Sequence, residues 1–207
     1  MAMAQETFIK RKAGRSMGQS RKIKVSMNAP VILLFTFLCL LALCLGALTN
    51  GASNRLLFSV YRSSLKSPLT YVRLFTHVLG HSSLSHLYGN ICMILVIGPL
   101  LEEKYGSSDM AFVILTTALV TGLVNFIFFP HTALLGASGV VFAMILLSSF
   151  GSFEEGTLPL TFLLVAALYL GQQLYDGIFV RDNVSNLTHI VGGGVGAFLG
   201  YRMNRKG

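Results

Sequence analysis

Two residues that could together hydrolyse a bond lie in apolar stretches of this 207-residue chain. Ser138 stands next to Gly139, inside a 44-residue run from Met110 to Phe153 that contains no Asp, Glu, Lys or Arg. His189 begins the last apolar stretch. A serine that meets a histidine can act as a nucleophile, with the histidine as its general base. The simpler interpretation is that Ser138 is a small residue at a membrane helix interface.

Two further polar residues, His86 and Asn90, begin another apolar stretch. They are four residues apart, so a helix would project both side chains from one face. A polar face is costly on a membrane helix and indicates a functional site. Both side chains can donate hydrogen bonds, which suits the stabilisation of a developing oxyanion.

His77, His81 and His86 also raise the possibility of a metal site. A zinc site needs three or four converging ligands, and no carboxylate lies near these histidines in the sequence. Interfacial hydrogen bonding is the favoured interpretation for His77 and His81. No Cys-x-x-Cys spacing is present either, so we expect no metal site.

The composition indicates a membrane protein, because 53% of the residues are hydrophobic and only 12% are charged. Apolar stretches near 20 residues are long enough to cross a bilayer. They predict an all-α membrane protein in which residues 25–207 form one six-helix domain and residues 1–24 a basic tail. The six helices are predicted at about 29–49, 84–102, 110–129, 137–151, 158–175 and 187–203.

The formal net charge of +8 also fits a membrane protein rather than one that binds nucleic acid. With six crossings, eleven of the 16 Lys and Arg residues fall on the side that holds both termini. The positive-inside rule makes that side cytoplasmic. The basic start is too long for a signal peptide. We expect a multi-pass protein of a bacterial inner membrane, in preference to a mitochondrial one.

The predicted topology places the polar residues at one depth. The second, fourth and sixth helices would run in the same direction, and His86, Ser138 and His189 each lie near the start of one of them. Apart from Glu102, the last residue of the second span and far along it from His86, no carboxylate lies in any predicted span, and Asp176 and Asp182 fall in the last outside loop. The sequence therefore favours a Ser–His dyad over a Ser–His–Asp triad.

Small residues accompany these side chains. Gly192, Gly196 and Gly200 are spaced by four, a pattern that lets a membrane helix pack closely on a neighbour. Gly136 and Gly139 flank Ser138 and predict a similar close approach.

At this point the sequence resembles the rhomboid intramembrane serine proteases. The resemblance extends from about Val72 to Gly200, and four groups of residues carry it: Arg73-Leu-Phe-Thr, His86-Leu-Tyr-Gly-Asn90 with the later Glu102-Glu-Lys-Tyr-Gly-Ser107, Gly136-Ala-Ser-Gly139, and His189-Ile-Val-Gly192. It implies a six-helix rhomboid-like bundle with Ser138 as nucleophile and His189 as base. The oxyanion hole would comprise the Ser138 N–H and the side chains of His86 and Asn90.

The resemblance also implies what the protein acts on. Similar enzymes cut single-pass transmembrane proteins within the bilayer and need no metal or cofactor. The fifth helix and the loop after it would form the substrate gate. The sequence says nothing about oligomeric state.

Two positions depart from the family pattern. Its Trp-Arg pair reads Val72-Arg73 here, and its frequent Tyr four residues after the nucleophile is Phe142. Phe142 can still stack on the His189 ring but donates no hydrogen bond.

Two rival functions remain. One rival is an inactive rhomboid-like protein that binds transmembrane helices. The other, a channel or transporter, is disfavoured because no span carries a carboxylate in its interior and no inverted repeat or broken-helix pair is visible.

Overall fold

The computed structural model describes residues 27–149, residues 183–204 and, in part, residues 160–171. Apart from an isolated bridge between Val60 and Leu134, the regular structure in this part is helical. The helices are α1 (Pro30–Leu48), α2 (Ala52–Leu57), α3 (Pro68–Thr76), α4 (Leu84–Tyr105), α5 (Ser107–Phe128), α6 (Ser138–Ser148) and α7 (Asn183–Asn204), and a short 3₁₀ turn spans His77–Leu79.

Three of the described helices, α1, α4 and α5, are long and apolar enough to cross a membrane. They correspond to the first three predicted crossings, so the all-helical membrane fold is confirmed at this level. The fourth corresponds to α6 and the sixth to α7. Described residues of the fifth are helical, but the predicted gate loop lies outside the described part of the chain. The six-crossing count and the cytoplasmic placement of the termini stay predictions.

Helix α6, which corresponds to the fourth predicted crossing, lies between α4, α5 and α7. Its 11 residues are apolar around nearly the whole circumference, so it has no face suited to water. It packs against α4, α5 and most extensively α7. A helix of this length spans roughly 17 Å, well short of the approximately 30 Å of a bilayer core. By itself, α6 is therefore too short to cross a bilayer core.

Glycines allow α6 and α7 to touch along their backbones. A Cβ on Gly192 would collide with the backbone of Gly139, and one on Gly196 would collide with that of Ala143. The spacing of four predicted close packing on a neighbouring helix, and the structure identifies that helix as α6. Gly200, one turn further along α7, is buried as well.

The segment between α1 and α4 is tied down by backbone carbonyls. Arg73 is only 6% exposed, donates from Nε to the Leu56 carbonyl at 2.8 Å, and lies 4.6 Å from the centre of the Tyr61 ring. Val72, which replaces the family's Trp, is 41% exposed. Arg73 therefore anchors this segment without an aromatic neighbour at position 72.

Asn125 joins the same segment to the loop before α6. Its amide donates to the carbonyls of Val60 at 3.0 Å and Thr132 at 3.1 Å. Val60 and Leu134 also exchange two backbone hydrogen bonds of 2.9 Å. Asn125 holds loop backbones because it lies close to the end of α5.

Glu102 connects three helices at the end of α4 farthest from His86. Its carboxylate accepts the backbone N–H groups of Val31 and Ile32 at 3.0 Å each, and the Ser107 hydroxyl at 2.6 Å. Helix α1 starts after Ala29, which has no side-chain acceptor for its first N–H groups. Glu102 therefore caps α1 from another helix, and its charge favours the positive end of the helix dipole.

We predict that Glu102→Gln destabilises the protein, because an amide offers one oxygen where the carboxylate offers two. The expected cost is about 1.5–3 kcal/mol, the value of hydrogen bonds to a charged group. Thermal unfolding in detergent should show a midpoint several degrees below that of the parent. Glu103→Gln removes a charge from the adjacent exposed position and is the matched control. Equal midpoints for the two variants would contradict the capping role.

We also predict that Gly196→Ala is more destabilising than Gly194→Ala on the same helix. A Cβ at Gly196 meets the backbone of Ala143, which cannot move aside, whereas one at Gly194 meets no atom within 4 Å. Overpacking of this kind costs about 1–3 kcal/mol. Because alanine favours helix over glycine, Gly194→Ala should be neutral or stabilising. The two unfolding midpoints test the contact, and similar values would argue against it.

Candidate active site

Ser138 is the first residue of α6 and follows a sharp turn at Gly136. The φ of Gly136 is +135°, a conformation that residues with a Cβ rarely adopt. Its N–H donates to the His77 carbonyl at 2.9 Å, which fixes the turn to the segment before α4. The sequence assigned Gly136 to helix packing, but it lies outside α6 and approaches a side chain instead, because its φ cannot continue a helix. Gly139, inside α6, does pack on α7.

The hydroxyl of Ser138 and the ring of His189 are in hydrogen-bonding contact. Ser138 Oγ lies 2.8 Å from His189 Nε2, although 51 residues separate them in the chain. Both side chains are half-buried. The Phe142 ring lies one turn along α6, with its centre 4.5 Å from that of the His189 ring and the planes inclined by 44°. Phe142 thus covers one face of the imidazole and limits its movement.

His86 approaches the same turn from α4. A Cβ on Gly136 would lie 2.9 Å from both Cε1 and Nε2 of His86, so only glycine leaves room for the ring. On the other side of the ring, Nδ1 lies 3.2 Å from the Ser82 hydroxyl. The backbone of His86 is held by Ser83, the N-cap of α4. The Ser83 hydroxyl accepts a hydrogen bond from the His86 N–H at 3.1 Å.

Asn90 lies one turn after His86 and contacts a residue that the sequence did not connect to it. Its Nδ2 is 3.1 Å from Nε2 of His81, nine positions earlier. Both side chains are buried, with His81 fully inaccessible and Asn90 8% exposed. His81 precedes α4, so no helical spacing relates the two residues. Only the fold of the chain back over the first turns of α4 brings them together.

The three histidines considered as metal ligands do not converge on one point, although the His81 and His86 rings touch. His77 contacts the Arg73 carbonyl and the Thr121 hydroxyl, at 3.2 and 3.3 Å. Burial lowers the pKa of both His77 and His81 to about 4, so each ring is neutral at physiological pH. Within the described part of the chain, no three His, Cys, Asp or Glu side chains are arranged to hold a metal ion.

The start of α6 adds backbone donors beside Ser138. The first N–H groups of a helix have no partner within it, and they carry the positive end of its dipole. The N-cap residue is Ala137, whose methyl group cannot accept from them. An anion next to Ser138 would therefore meet backbone donors. Asp176 and Asp182, the acids that could have completed a triad, lie outside the described residues.

The Ser138 hydroxyl and the His189 imidazole meet between two apolar helices, and α4 brings further hydrogen-bond donors beside them. These features are those of a helical membrane protein with a Ser–His site. Residues 68–206 match the Rhomboid domain family. This match covers more than half of the chain and includes the expected Val72–Gly200 region. The chain belongs to the rhomboid family and is an integral membrane protein.

Individual relatives agree with this assignment. Rhomboid-related protein 2 of Mus musculus is 33% identical over 158 residues, which cover 66% of this chain and 52% of the mouse protein. Rhomboid protease GluP of Bacillus subtilis is 25% identical, with 95% of this chain and 39% of GluP covered. Rhomboid-related protein 1 of Caenorhabditis elegans is 27% identical over 140 residues. The chain thus spans roughly two fifths to half of these relatives.

We predict that Gly136→Ala destabilises the protein more than Gly51→Ala. Both glycines have positive φ, at +135° and +81°, so alanine strains the backbone at each. Only at Gly136 does the new methyl also meet the His86 ring; at Gly51 it meets no atom within 4 Å. Unfolding midpoints of the two variants separate these effects. An equal loss would mean that His86 moves aside at no cost.

Proposed function

We propose that this protein is an intramembrane serine endopeptidase that cleaves transmembrane segments of membrane proteins with a Ser138–His189 dyad. The observation that carries the proposal is the 2.8 Å contact between Ser138 Oγ and His189 Nε2. A nucleophile and its general base must lie within hydrogen-bonding distance, and this pair does. Family membership and the name of the Bacillus relative, a rhomboid protease, support the same chemistry.

In the proposed reaction, His189 is neutral, with its hydrogen on Nδ1 and Nε2 facing the serine. Nε2 takes the proton as Ser138 Oγ attacks the carbonyl carbon of a peptide bond. The tetrahedral intermediate collapses when the imidazolium returns that proton to the leaving amine. The acyl group remains on Oγ as an ester. His189 then removes a proton from water, which hydrolyses the ester and restores the serine. Phe142 keeps the ring oriented through this cycle by packing on its face.

Three donors are proposed for the oxyanion of the intermediate. The first is the Ser138 N–H, at the positive end of α6. The second is Nε2–H of His86; when the Ser82 hydroxyl donates to Nδ1, the hydrogen of the neutral ring is on Nε2. The third is the amide of Asn90. Two donors thus come from α4 and one from α6, and the oxyanion would form between these helices.

The shortness of α6 and its apolar surroundings support a substrate within the membrane. Ser138 is at one end of a helix that is too short to cross a bilayer and is surrounded by longer apolar helices. A transmembrane helix has its backbone hydrogen bonds satisfied internally, so its peptide groups must leave the helix before a serine can attack. The proposed substrates are therefore single-pass segments that unwind readily. The similar proteins come from a bacterium and from eukaryotes, so the choice of a bacterial inner membrane stays a prediction.

We predict that Ser138→Ala and His189→Ala each abolish cleavage of a reconstituted transmembrane substrate. The first removes only a hydroxyl, and the second removes the base that activates it. The purified parent should also react covalently with a fluorophosphonate, as detected by mass spectrometry, and both variants should lose this labelling. Loss of a dyad member in a serine hydrolase lowers turnover by about 10⁴-fold or more.

Two outcomes would overturn the proposal. A parent that neither labels nor cleaves, yet binds transmembrane peptides, would identify the inactive rhomboid-like alternative. Strong labelling of the His189→Ala variant would show that Ser138 does not depend on His189. As a control, each variant should unfold at a midpoint near that of the parent. A loss of activity can then be attributed to the missing side chain and not to unfolding.

A further inference from the structure

We propose that His81 is a positioning residue. Its ring holds the Asn90 side-chain amide with the nitrogen, rather than the oxygen, toward His81. The inference rests on the proposed function, because it concerns one of the suggested oxyanion donors. It starts from the 3.1 Å contact between His81 Nε2 and Asn90 Nδ2, to which neither the family match nor the sequence motifs assigned a role.

The tautomer of His81 follows from its other nitrogen. Nδ1 lies 3.0 Å from the Leu79 carbonyl oxygen, which can only accept a hydrogen bond. The hydrogen of the neutral ring is therefore on Nδ1, and Nε2 carries a lone pair. A lone pair attracts the NH₂ group of an amide and repels its oxygen. The contact thus selects one of the two amide orientations of Asn90, which differ by a half-turn.

The correct orientation matters for the proposed reaction. The Asn90 NH₂ group has two hydrogens, and His81 engages one of them. The other remains to donate to the substrate. In the flipped amide, oxygen would take the place of this nitrogen, and an oxygen repels an oxyanion. An oxyanion hole is effective when its donors are already oriented before the charge develops, so an amide able to flip would be a weaker donor.

His81 itself is held firmly enough to do this. Its side chain is completely inaccessible to solvent, and its backbone carbonyl accepts from the Asn54 amide at 3.1 Å. A Cβ on the preceding residue, Gly80, would lie against the Phe58 backbone, so the chain cannot shift there. The His81 ring also meets the His86 ring edge to face, with centres 5.0 Å apart and planes at 65°. His81 therefore touches both of the proposed side-chain donors.

The neutral state of His81 is consistent with this role. Burial is the main cause that lowers its pKa to about 4, and the nearby His86 lowers it further, so Nε2 keeps its lone pair at physiological pH. A protonated ring would carry a hydrogen on Nε2 and would favour the amide oxygen instead.

Two substitutions separate the contact with Asn90 from the contact with Leu79. In His81→Gln, the longer side chain reaches the position of Nε2 and can present an oxygen to Asn90. In His81→Asn, the amide nitrogen replaces Nδ1 and can still donate to Leu79, but nothing reaches Asn90. We expect His81→Asn to lower kcat at least tenfold with KM within about twofold, and His81→Gln to retain most of the turnover. The loss of kcat in His81→Asn should not exceed the loss caused by removing an oxyanion donor, about 10²–10³-fold.

A double-mutant cycle tests whether His81 acts through Asn90. His81→Asn should lower kcat further by less than twofold when Asn90 is already alanine, because the group that it orients is gone. If His81 instead acted independently of Asn90, the losses of kcat in the two single variants would multiply in the double variant. That result, or a greater loss of kcat in His81→Gln than in His81→Asn, would overturn the proposal.

The same four proteins give a test that does not depend on activity. Their unfolding midpoints in detergent should be less than additive, because each single variant breaks the same hydrogen bond. If the parent cleaves no more substrate than His189→Ala does, the proposed function fails while this cycle still reports on the contact. Additive midpoint shifts would show that His81 and Asn90 are not coupled, and the positioning role would fall whatever the activity.

Discussion

The direct backbone contact between α6 and α7 determines how close His189 comes to Ser138. Gly192 packs on Gly139, the residue after the serine, and His189 lies three residues before Gly192 on the same side of α7. A side chain at Gly192 would separate the helices, and the 2.8 Å contact could not survive a shift of even 1 Å. The glycine spacing, although it carries no reactive group, is therefore the physical condition for the contact between Ser138 and His189.

The second side of the site depends on the chain before α4. This segment provides the Ser83 cap, the Ser82 hydroxyl beside His86 and the His81 ring beside Asn90. The His77 carbonyl also receives the Gly136 N–H. Polar groups within an apolar bundle require partners, because leaving one unpaired is costly. The partners here are backbone carbonyls, two serine hydroxyls and the His81 ring, so His86 and Asn90 are held by a network rather than by a single contact.

The two ends of the bundle are stabilised by different physics. At the far end of α4, the Glu102 carboxylate satisfies the first N–H groups of α1 and the hydroxyl that begins α5. Residue 102 is roughly 24 Å along the helix from His86. Charge and hydrogen bonding thus secure the end remote from the site, whereas close packing without side chains secures α6 against α7.

By itself the sequence determined the class of protein, the apolar helices and the identity of the polar residues within them. Charge-free stretches of bilayer length and i, i+4 spacings are local properties, and they are readable without a structure. The glycine spacing of four likewise predicted close packing between two helices. The tertiary structure decided which helix the repeat packs on, the distance from Ser138 to His189, the placement of Gly136 outside α6, and the pairings of His81 with Asn90 and of Glu102 with α1. Each of these joins segments with no periodic relation in the chain, so only the folded arrangement could bring them together.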